Sequence, residues 1–131
     1  MPHFEIQYSR NLDAQTDIAA LCRVITDELV DCGLFPLGGI RVRAIASDMF
    51  LVADDDPRNA YLDMVLRIGA GRSPQDKKTA GDAIFSAVCN HLGALFEDPH
   101  FALSFEIREI DRQLSWKRNS IHARLQQSTG K

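Results

Sequence analysis

Long apolar runs are missing from this sequence. No stretch approaches the ~18 consecutive apolar residues that a helix needs to cross a bilayer. The first residues, MPHFE, lack both the basic region and the apolar region of a secretory signal. We therefore expect a cytoplasmic protein that does not enter a membrane.

Cysteine and histidine are sparse and poorly spaced for metal binding. The cysteines are Cys22, Cys32 and Cys89, without a CxxC pair, and the four histidines include no HxxxH pair. An odd number of scattered thiols is typical of reduced cysteines in the cytosol rather than of a disulfide framework or a zinc site. We expect neither a metal nor another cofactor.

Positive charge is not in excess either. Lys and Arg total 15 against 18 Asp and Glu, a formal charge of -3. This balance argues against nucleic acid or an anionic membrane as the partner. Eleven of the 15 basic residues are Arg, and the planar guanidinium suits bidentate binding of carboxylate or phosphate. Whether any one Arg has that role depends on its position.

The chain does contain enough apolar residues to form the core of one domain. Its 131 residues are 45% hydrophobic and 25% charged, as in ordinary soluble proteins. A chain of this size buries about 65–70% of its unfolded surface. We therefore expect a single domain spanning 1–131.

Hydrophobic spacing predicts the order strand, helix, strand in the first half. Residues 2–8 alternate between apolar and polar side chains, which indicates a strand with one buried face. Asn11 or Asp13 offers a helix N-cap, and apolar residues then recur at three- and four-residue spacing. Residues 40–52 are predicted to form a long strand.

The second half repeats this order. Residues 62–68 alternate as a strand, and Ser73-Pro74 then supplies an N-cap and a first helical residue. Asp76 lies where a capping box has an acid. The following apolar stripe predicts a helix that continues to Asp98-Pro99, and residues 101–107 alternate as a fourth strand.

The predicted fold is α+β, with two β-α-β units (2–52 and 58–112) and a tail at 113–131. Crossover helices make their flanking strands parallel, so the units form a four-stranded mixed sheet with two helices on one face. We expect apolar side chains on both faces, so self-association would cover the open one. The tail is expected to form a short strand or turn that frays after Gln126.

Pro2 is a candidate general base. A small second residue permits removal of Met1, which would leave the secondary amine of Pro2 free at the start of a strand. Such an amine keeps its lone pair, because no carbonyl delocalises it. Proline is also simply tolerated at the start of a strand, where no ladder hydrogen bond is needed, so position alone leaves both interpretations open.

Arg41 and Arg72 each follow a glycine-containing turn. Arg72 also precedes a predicted helix N-terminus, where free N–H groups and the helix dipole favour an anion. The alternative is an arginine that only solvates a turn. Residues 69–71 are not a phosphate-binding loop of the P-loop type, because no Lys-Ser/Thr pair follows the glycines at the required spacing.

Five parts of the sequence match one family pattern in order and spacing, nearly end to end. They are Pro2–Phe4 with Tyr8–Ser9 and Asn11–Leu12, then Gly33–Arg43, Ile68–Ser73, Leu103–Ile107, and the set Lys117, Asn119 and His122. Together they resemble the 5-carboxymethyl-2-hydroxymuconate isomerases of the tautomerase superfamily. The residues after Leu125 have no counterpart in that pattern.

The resemblance implies a homotrimer that uses no cofactor and ketonises a dienol bearing several carboxylates, such as 5-carboxymethyl-2-hydroxymuconate in homoprotocatechuate catabolism. It implies Pro2 as the general base, with Arg41 and Arg72 as catalytic and substrate-binding residues. An α-amino group titrates near ~7.7–8.0. Burial and nearby guanidinium charges should lower that pKa towards the working pH, where a base is most effective.

Two alternatives stay open at this point. The same fold could catalyse decarboxylation, hydration of a haloacrylate or tautomerisation of a simpler 2-keto acid, or it could serve a trimeric binding protein without catalysis. If Met1 is retained, the nitrogen of Pro2 is an amide and cannot be a base. His3, Arg43, Trp116 and His122 receive no role from the sequence.

Overall fold

Residues 1–128 are described by the computed structural model, and their four strands form one mixed sheet. The strands are β1 (His3–Ser9), β2 (Arg41–Ser47), β3 (Ala60–Gly69) and β4 (Phe101–Ile110), the helices are α1 (Ile18–Asp31), α2 (Pro74–His91) and α3 (Ser120–Ser128), and short 3-10 turns cover Arg10–Ala14, Leu37–Gly39 and Gly93–Glu97. The sheet order is β2-β1-β3-β4, with both β-α-β pairs parallel and β1 antiparallel to β3. The predicted α+β fold is confirmed.

Helix α1 begins later than predicted. Its N-cap is Asp17, whose side chain accepts a hydrogen bond from the backbone N of Ala20 at 3.0 Å. The two expected caps are used elsewhere: Asn11 donates to the carbonyl of Asn59, and the carboxylate of Asp13 accepts from the Tyr8 hydroxyl. The prediction of Asn11 or Asp13 as the cap was therefore wrong.

Strand β2 is shorter than the predicted 40–52. It ends at Ser47, the partner of Ser9, where β1 also ends and the chain turns away. Beyond that point β2 has no neighbour to pair with on the β1 side. Ala53 and Asp55 then adopt positive φ angles of 53° and 61°, which are incompatible with a continuing strand.

The start of α2 was predicted correctly and its end was not. Ser73 Oγ accepts from the backbone N of Asp76 at 3.0 Å, and Pro74 is the first helical residue. The helix ends at His91 rather than Asp98, and a separate 3-10 turn follows from Gly93. Glycine is a poor helix former, which accounts for the break.

The tail forms a helix, α3, instead of the predicted short strand or turn. Asn119 caps it: Oδ1 accepts from the backbone N of Ile121 and His122, both at 3.0 Å. Nine residues are too few for a helix to be stable alone, so packing against the turn at 37–39 stabilises it. The expectation of fraying after Gln126 extends to residues 129–131, which lie outside the described range.

The core lies between the sheet and helices α1 and α2. Alternate strand residues meet one apolar stripe from each helix, and fully burying one such side chain contributes about 1.5–3 kcal/mol. This layer fixes strand register, because a one-residue slip would turn every apolar side chain outward. Its main members are Phe4, Ile6, Leu62, Met64, Leu66 and Ile68 from the sheet and Leu21, Ile25, Leu29, Ala80, Ile84 and Val88 from the helices.

The face of the sheet opposite these helices is mostly polar. Glu5 accepts hydrogen bonds from Arg43 Nη2 at 2.5 Å and Arg67 Nε at 3.2 Å. The carboxylate of Asp63 accepts from the Ser104 hydroxyl at 2.7 Å. The expectation of apolar residues on both faces was therefore wrong for most of this face, and burial of apolar surface is not what would draw another copy onto it.

Gly38 is required for α3 to pack closely. A Cβ added there would lie 2.4 Å from the Cα of His122, a backbone atom that cannot move aside alone. We expect Gly38→Ala to displace α3 and to lower the free energy of unfolding by about 1–3 kcal/mol, the usual cost of overpacking. Denaturant titration measures this. Gly93→Ala is the matched control, because nothing lies within 4 Å of its added Cβ, and equal stability of the two variants would contradict the assignment.

Candidate active site

The amino terminus lies at the start of β1, beside the first residue of β2. Pro2 is buried, and its carbonyl accepts a hydrogen bond from the backbone N of Arg41 at 3.2 Å. A Cβ added to Gly39 would lie 3.4 Å from Pro2 Cδ. Gly39 thus lies directly against the chain end, and the hydrogen bond to Arg41 holds that end in one place, as a reactive group requires.

A cavity of about 710 Å³ opens beside this terminus. Among the residues that the structure describes, its wall contains Lys and Arg side chains but no Asp or Glu. The cations are Arg41, Arg67, Arg112, Lys117 and Arg118, and Met1, His3 and Trp116 are also in the wall. Because the whole chain has a formal charge of -3, this local positive charge is a distinct feature that favours an anionic ligand.

His3 lies in the middle of the cationic wall. Strand register pairs it with Arg41 on β2 and with Arg67 on β3. The pKa of His3 is lowered to about 4. Burial is the largest cause, and the charges of three neighbouring guanidinium groups add to it. The imidazole is therefore neutral at pH 7 and can donate or accept a hydrogen bond.

Arg41 brings an unpartnered guanidinium to the cavity. Its Nε and Nη2 are buried and form no hydrogen bond with any residue of 1–128. Burial, followed by the like charges of Arg43 and Arg67, lowers the pKa of Arg41, although a guanidinium stays protonated at neutral pH. Since buried polar groups are nearly always hydrogen-bonded, these two unpaired donors make Arg41 unusual among the arginines of the described chain.

Arg72 is held by the protein itself. Nη1 donates to the carbonyl of Gly69 and Nη2 to that of Leu34, both at 3.0 Å. Its guanidinium carbon lies 4.7 Å from the centre of the Phe35 ring. Arg72 is not one of the residues in the cavity wall, so direct substrate binding by Arg72 stays a prediction, whereas its structural contacts are clear.

These contacts predict that Arg72→Ala loses stability. Two hydrogen bonds from a charged group and a cation–π contact are removed, so the free energy of unfolding should fall by roughly 2–3 kcal/mol. Lys should rescue poorly, because one ammonium cannot reproduce the planar fork. Denaturant titration with Arg23→Ala, an exposed arginine on α1, is the control, and matching midpoints for the two alanine variants would show that the contacts contribute nothing.

The α-amino group of Met1, the terminal amine of the unprocessed chain, has a lowered pKa. Burial is the largest cause, and the positive charges of Lys117, Arg72 and Arg41 add to it in that order. Each cation disfavours a second positive charge on the nitrogen. An amine in this position is therefore deprotonated at a lower pH than a free α-amino group and is available as a base near neutrality.

A C-terminal strap, residues 111–119, closes one side of the cavity. Arg112 Nη2 donates to the carbonyl of Ala70 at 3.0 Å, near the strap's beginning. At its end, Asn119 Nδ2 donates to the carbonyl of Gly38 at 2.7 Å. Sequence reasoning missed the strap as a part of the site, and the only signal for it was the family resemblance in this region.

Cation-binding features are not found in the described part of the chain. No group of three or more His, Cys, Asp or Glu side chains within 1–128 is placed to hold a metal ion. None of the helices in this range has the length and apolar character that a membrane span requires. The groups around the cavity are instead cationic nitrogens and one neutral imidazole, which suit an anion.

The fold is that of the tautomerase superfamily. Residues 2–125 match the model of a single family in it. The chain belongs to the 5-carboxymethyl-2-hydroxymuconate isomerase family and is an isomerase.

Relatives support this placement along the whole chain. A 5-carboxymethyl-2-hydroxymuconate Delta-isomerase of Escherichia coli is 39% identical over 123 residues, which cover 94% of this chain and 98% of that protein. The crystal structure of a 5-carboxymethyl-2-hydroxymuconate isomerase from Deinococcus radiodurans R1 has a TM-score of 0.89 at 38% identity, covering 95% of this chain and 93% of that one. A further 5-carboxymethyl-2-hydroxymuconate delta-isomerase structure has a TM-score of 0.87 at 29% identity, with the same coverage of both chains.

Proposed function

We propose that this isomerase ketonises a dienol bearing several carboxylates, such as 5-carboxymethyl-2-hydroxymuconate, with the free amine of Pro2 as the general base. The observation that carries the proposal is the cavity, where a wall of cations surrounds a terminal amine of lowered pKa. A polycarboxylate supplies the negative charge and the acceptor oxygens that this wall lacks, including those for the unpaired donors of Arg41.

The proposed reaction moves one proton within the substrate. Removal of Met1 frees the Pro2 nitrogen, which takes the proton from the dienol hydroxyl. The carbonyl forms as the double bonds shift along the conjugated chain, and the ammonium returns a proton to the far carbon. One O–H bond breaks and one C–H bond forms, so atoms and electrons balance without a co-reactant. A lowered amine pKa serves both transfers, because it favours the free base and makes its conjugate acid a better donor.

The two predicted arginines have different places in this mechanism. Arg41 lies in the cavity wall, and we assign it to a substrate carboxylate and to the negative charge that develops on the dienolate. Arg72 lies behind the wall. Its charge helps to lower the amine pKa, and its hydrogen bonds fasten the loops on which the site rests. The kinetics of Arg72 variants decide whether Arg72 also contacts the substrate directly.

We also propose a cytoplasmic homotrimer as the active molecule. The three cysteines are free, as is usual in a reducing compartment. Beside the cavity, Trp116 is 86% exposed and Leu114 is 71% exposed, and such apolar side chains suit an interface. Light scattering should give about three times the chain mass of 14.6 kDa, and a stable monomer at micromolar concentration would contradict the trimer.

Turnover of the dienol tests the proposed function. Loss of its ultraviolet absorbance should be faster with the processed protein than without it, and the rate should be unchanged after exhaustive chelation. A rate no greater than that of the uncatalysed reaction would contradict ketonisation of this substrate. The fold would then serve another reaction on 2-keto acids or binding alone.

A further inference from the structure

Lys117 and Arg118 are the two cavity cations that have neither a task in the proposed mechanism nor a hydrogen-bond or ion-pair partner within 1–128. Other cations of the wall are already engaged: Arg67 Nε donates to Glu5 at 3.2 Å, and Arg112 donates to a backbone carbonyl. Lys117 forms neither an ion pair nor a hydrogen bond with any other residue of 1–128. An ammonium with no partner in a cationic cavity is free to bind an anion.

The position of Lys117 relative to the terminal amine is specific. Of the charged groups around that amine, Lys117 has the largest electrostatic effect, and Arg41 also contributes. The two cations come from different elements, since Arg41 begins β2 on the sheet whereas Lys117 belongs to the strap. Met1, Arg41 and Lys117 all lie in the wall of the same cavity, so one cation from the sheet and another from the strap share it with the chain terminus.

The strap that carries Lys117 is held firmly at both ends. Besides the bonds of Arg112 and Asn119 to backbone carbonyls, two glycines leave room for it. A Cβ on Gly71 would lie 2.5 Å from Arg112 Nη2, and one on Gly38 would meet the backbone of α3. Lys117 is itself exposed, and it belongs to a segment that is anchored at both ends on the rim of the site.

We propose that Lys117 binds a second carboxylate of the substrate, so that Arg41 and Lys117 hold a dicarboxylate across the terminal amine. This inference rests on the proposed function and names its specificity determinant. A substrate with carboxylates at both ends of its diene engages both cations. A monocarboxylate engages only one, so the site selects for di- and tricarboxylates.

The test compares two dienols in wild type and in Lys117→Met. One is 5-carboxymethyl-2-hydroxymuconate, and the other is 2-hydroxy-2,4-pentadienoate, which has a single carboxylate. At pH values where the amine is fully deprotonated, Lys117→Met should lower kcat/KM for the polycarboxylate about 10- to 150-fold, the effect of one charged hydrogen bond. The loss should appear mainly in KM, while the monocarboxylate changes little.

Two further variants separate binding from a structural effect. Lys117→Arg should restore most of the selectivity, since it keeps a cation at the same place. Lys78→Met removes a solvent-exposed lysine on α2 and should leave both substrates unaffected. Lys117→Met should also shift the ascending limb of the pH profile upward, because it removes a charge that lowers the amine pKa. A purely structural role would not produce this shift.

A binding measurement keeps the inference independent of turnover. Calorimetry with hexanedioate, an unreactive dicarboxylate, should show weaker binding to Lys117→Met than to wild type or Lys78→Met. If wild type ketonises neither dienol, the proposed function fails and this measurement alone decides on the anion site. The inference is overturned if wild type turns over substrate and Lys117→Met keeps the same selectivity. It is also overturned if wild type is inactive and binds hexanedioate no better than Lys117→Met does.

Discussion

When the nitrogen of Pro2 stays acylated, kcat/KM should fall about 10²–10⁴-fold, the usual contribution of a general base. An amide nitrogen has no basic lone pair, whereas removal of Met1 would free the Pro2 amine one residue from the place where burial and nearby cations lower the pKa of the Met1 amine. In the variant, one glycine is inserted between Met1 and Pro2, so the nitrogen of Pro2 stays acylated after Met1 is removed. Intact mass confirms each species. Steady-state rates on the dienol measure the effect.

Pro2→Ala is the informative control for this change. It leaves a primary amine in the same place after processing, so part of the activity should remain. Folding should be unaffected in both proteins, because the backbone carbonyl of residue 2 still accepts from the backbone N of Arg41. If the acylated protein is as fast as the processed one, the base lies elsewhere and the N-terminal nitrogen is only structural.

Arg41→Ala should lower kcat/KM about 10²–10³-fold, as loss of one group that stabilises developing negative charge usually does. The buried donors of Arg41 are unpaired, and an unsatisfied buried donor lowers the stability of the folded protein. The free energy of unfolding should therefore stay the same or rise, so activity and stability change in opposite directions. Steady-state kinetics and denaturant titration on the same variant measure both.

Arg43→Ala is the matched control on the same strand face. Arg43 is already paired with Glu5 and lies near His3, and it is absent from the cavity wall. Arg43→Ala should therefore lower kcat/KM much less than Arg41→Ala does. Equal kinetic penalties at the two positions would show that the cation serving the substrate had been misassigned.

The parts of the fold that sequence predicted are those specified by nearby residues. Ser73 and Pro74 specify the start of α2, and the structure has Ser73 as the N-cap and Pro74 as the first helical residue, with Asp76 in the first turn. Helix α3 depends instead on the bond from Asn119 to Gly38, across 81 residues. No local pattern reports such a contact, which is why the tail was predicted as a strand or turn.

The candidate site divides in the same way. Pro2 and Arg41 could be named from the sequence, because position two and a glycine turn made them candidates and the family resemblance gave them roles. The row formed by His3, Arg41 and Arg67 exists only through strand register. Lys117 reaches the same cavity from the strap, so its place beside the amine follows from tertiary structure that spacing cannot supply.

The central claim, that the Pro2 amine is a base tuned by its cationic surroundings, is tested most directly by titrating that nitrogen. Processed protein labelled with ¹⁵N-proline can be followed by NMR as a function of pH, alongside the pH dependence of kcat/KM. Burial and the charges of Lys117, Arg72 and Arg41 lower the pKa of the Met1 amine. We expect the same surroundings to lower the pKa of the Pro2 amine, so that the free base forms, and activity rises, at a lower pH than for an ordinary amine. The measured pKa should lie below the ~8 of a free α-amino group and equal the midpoint of the ascending limb. A pKa at or above ~8, or a kinetic midpoint that differs from it, would contradict the account.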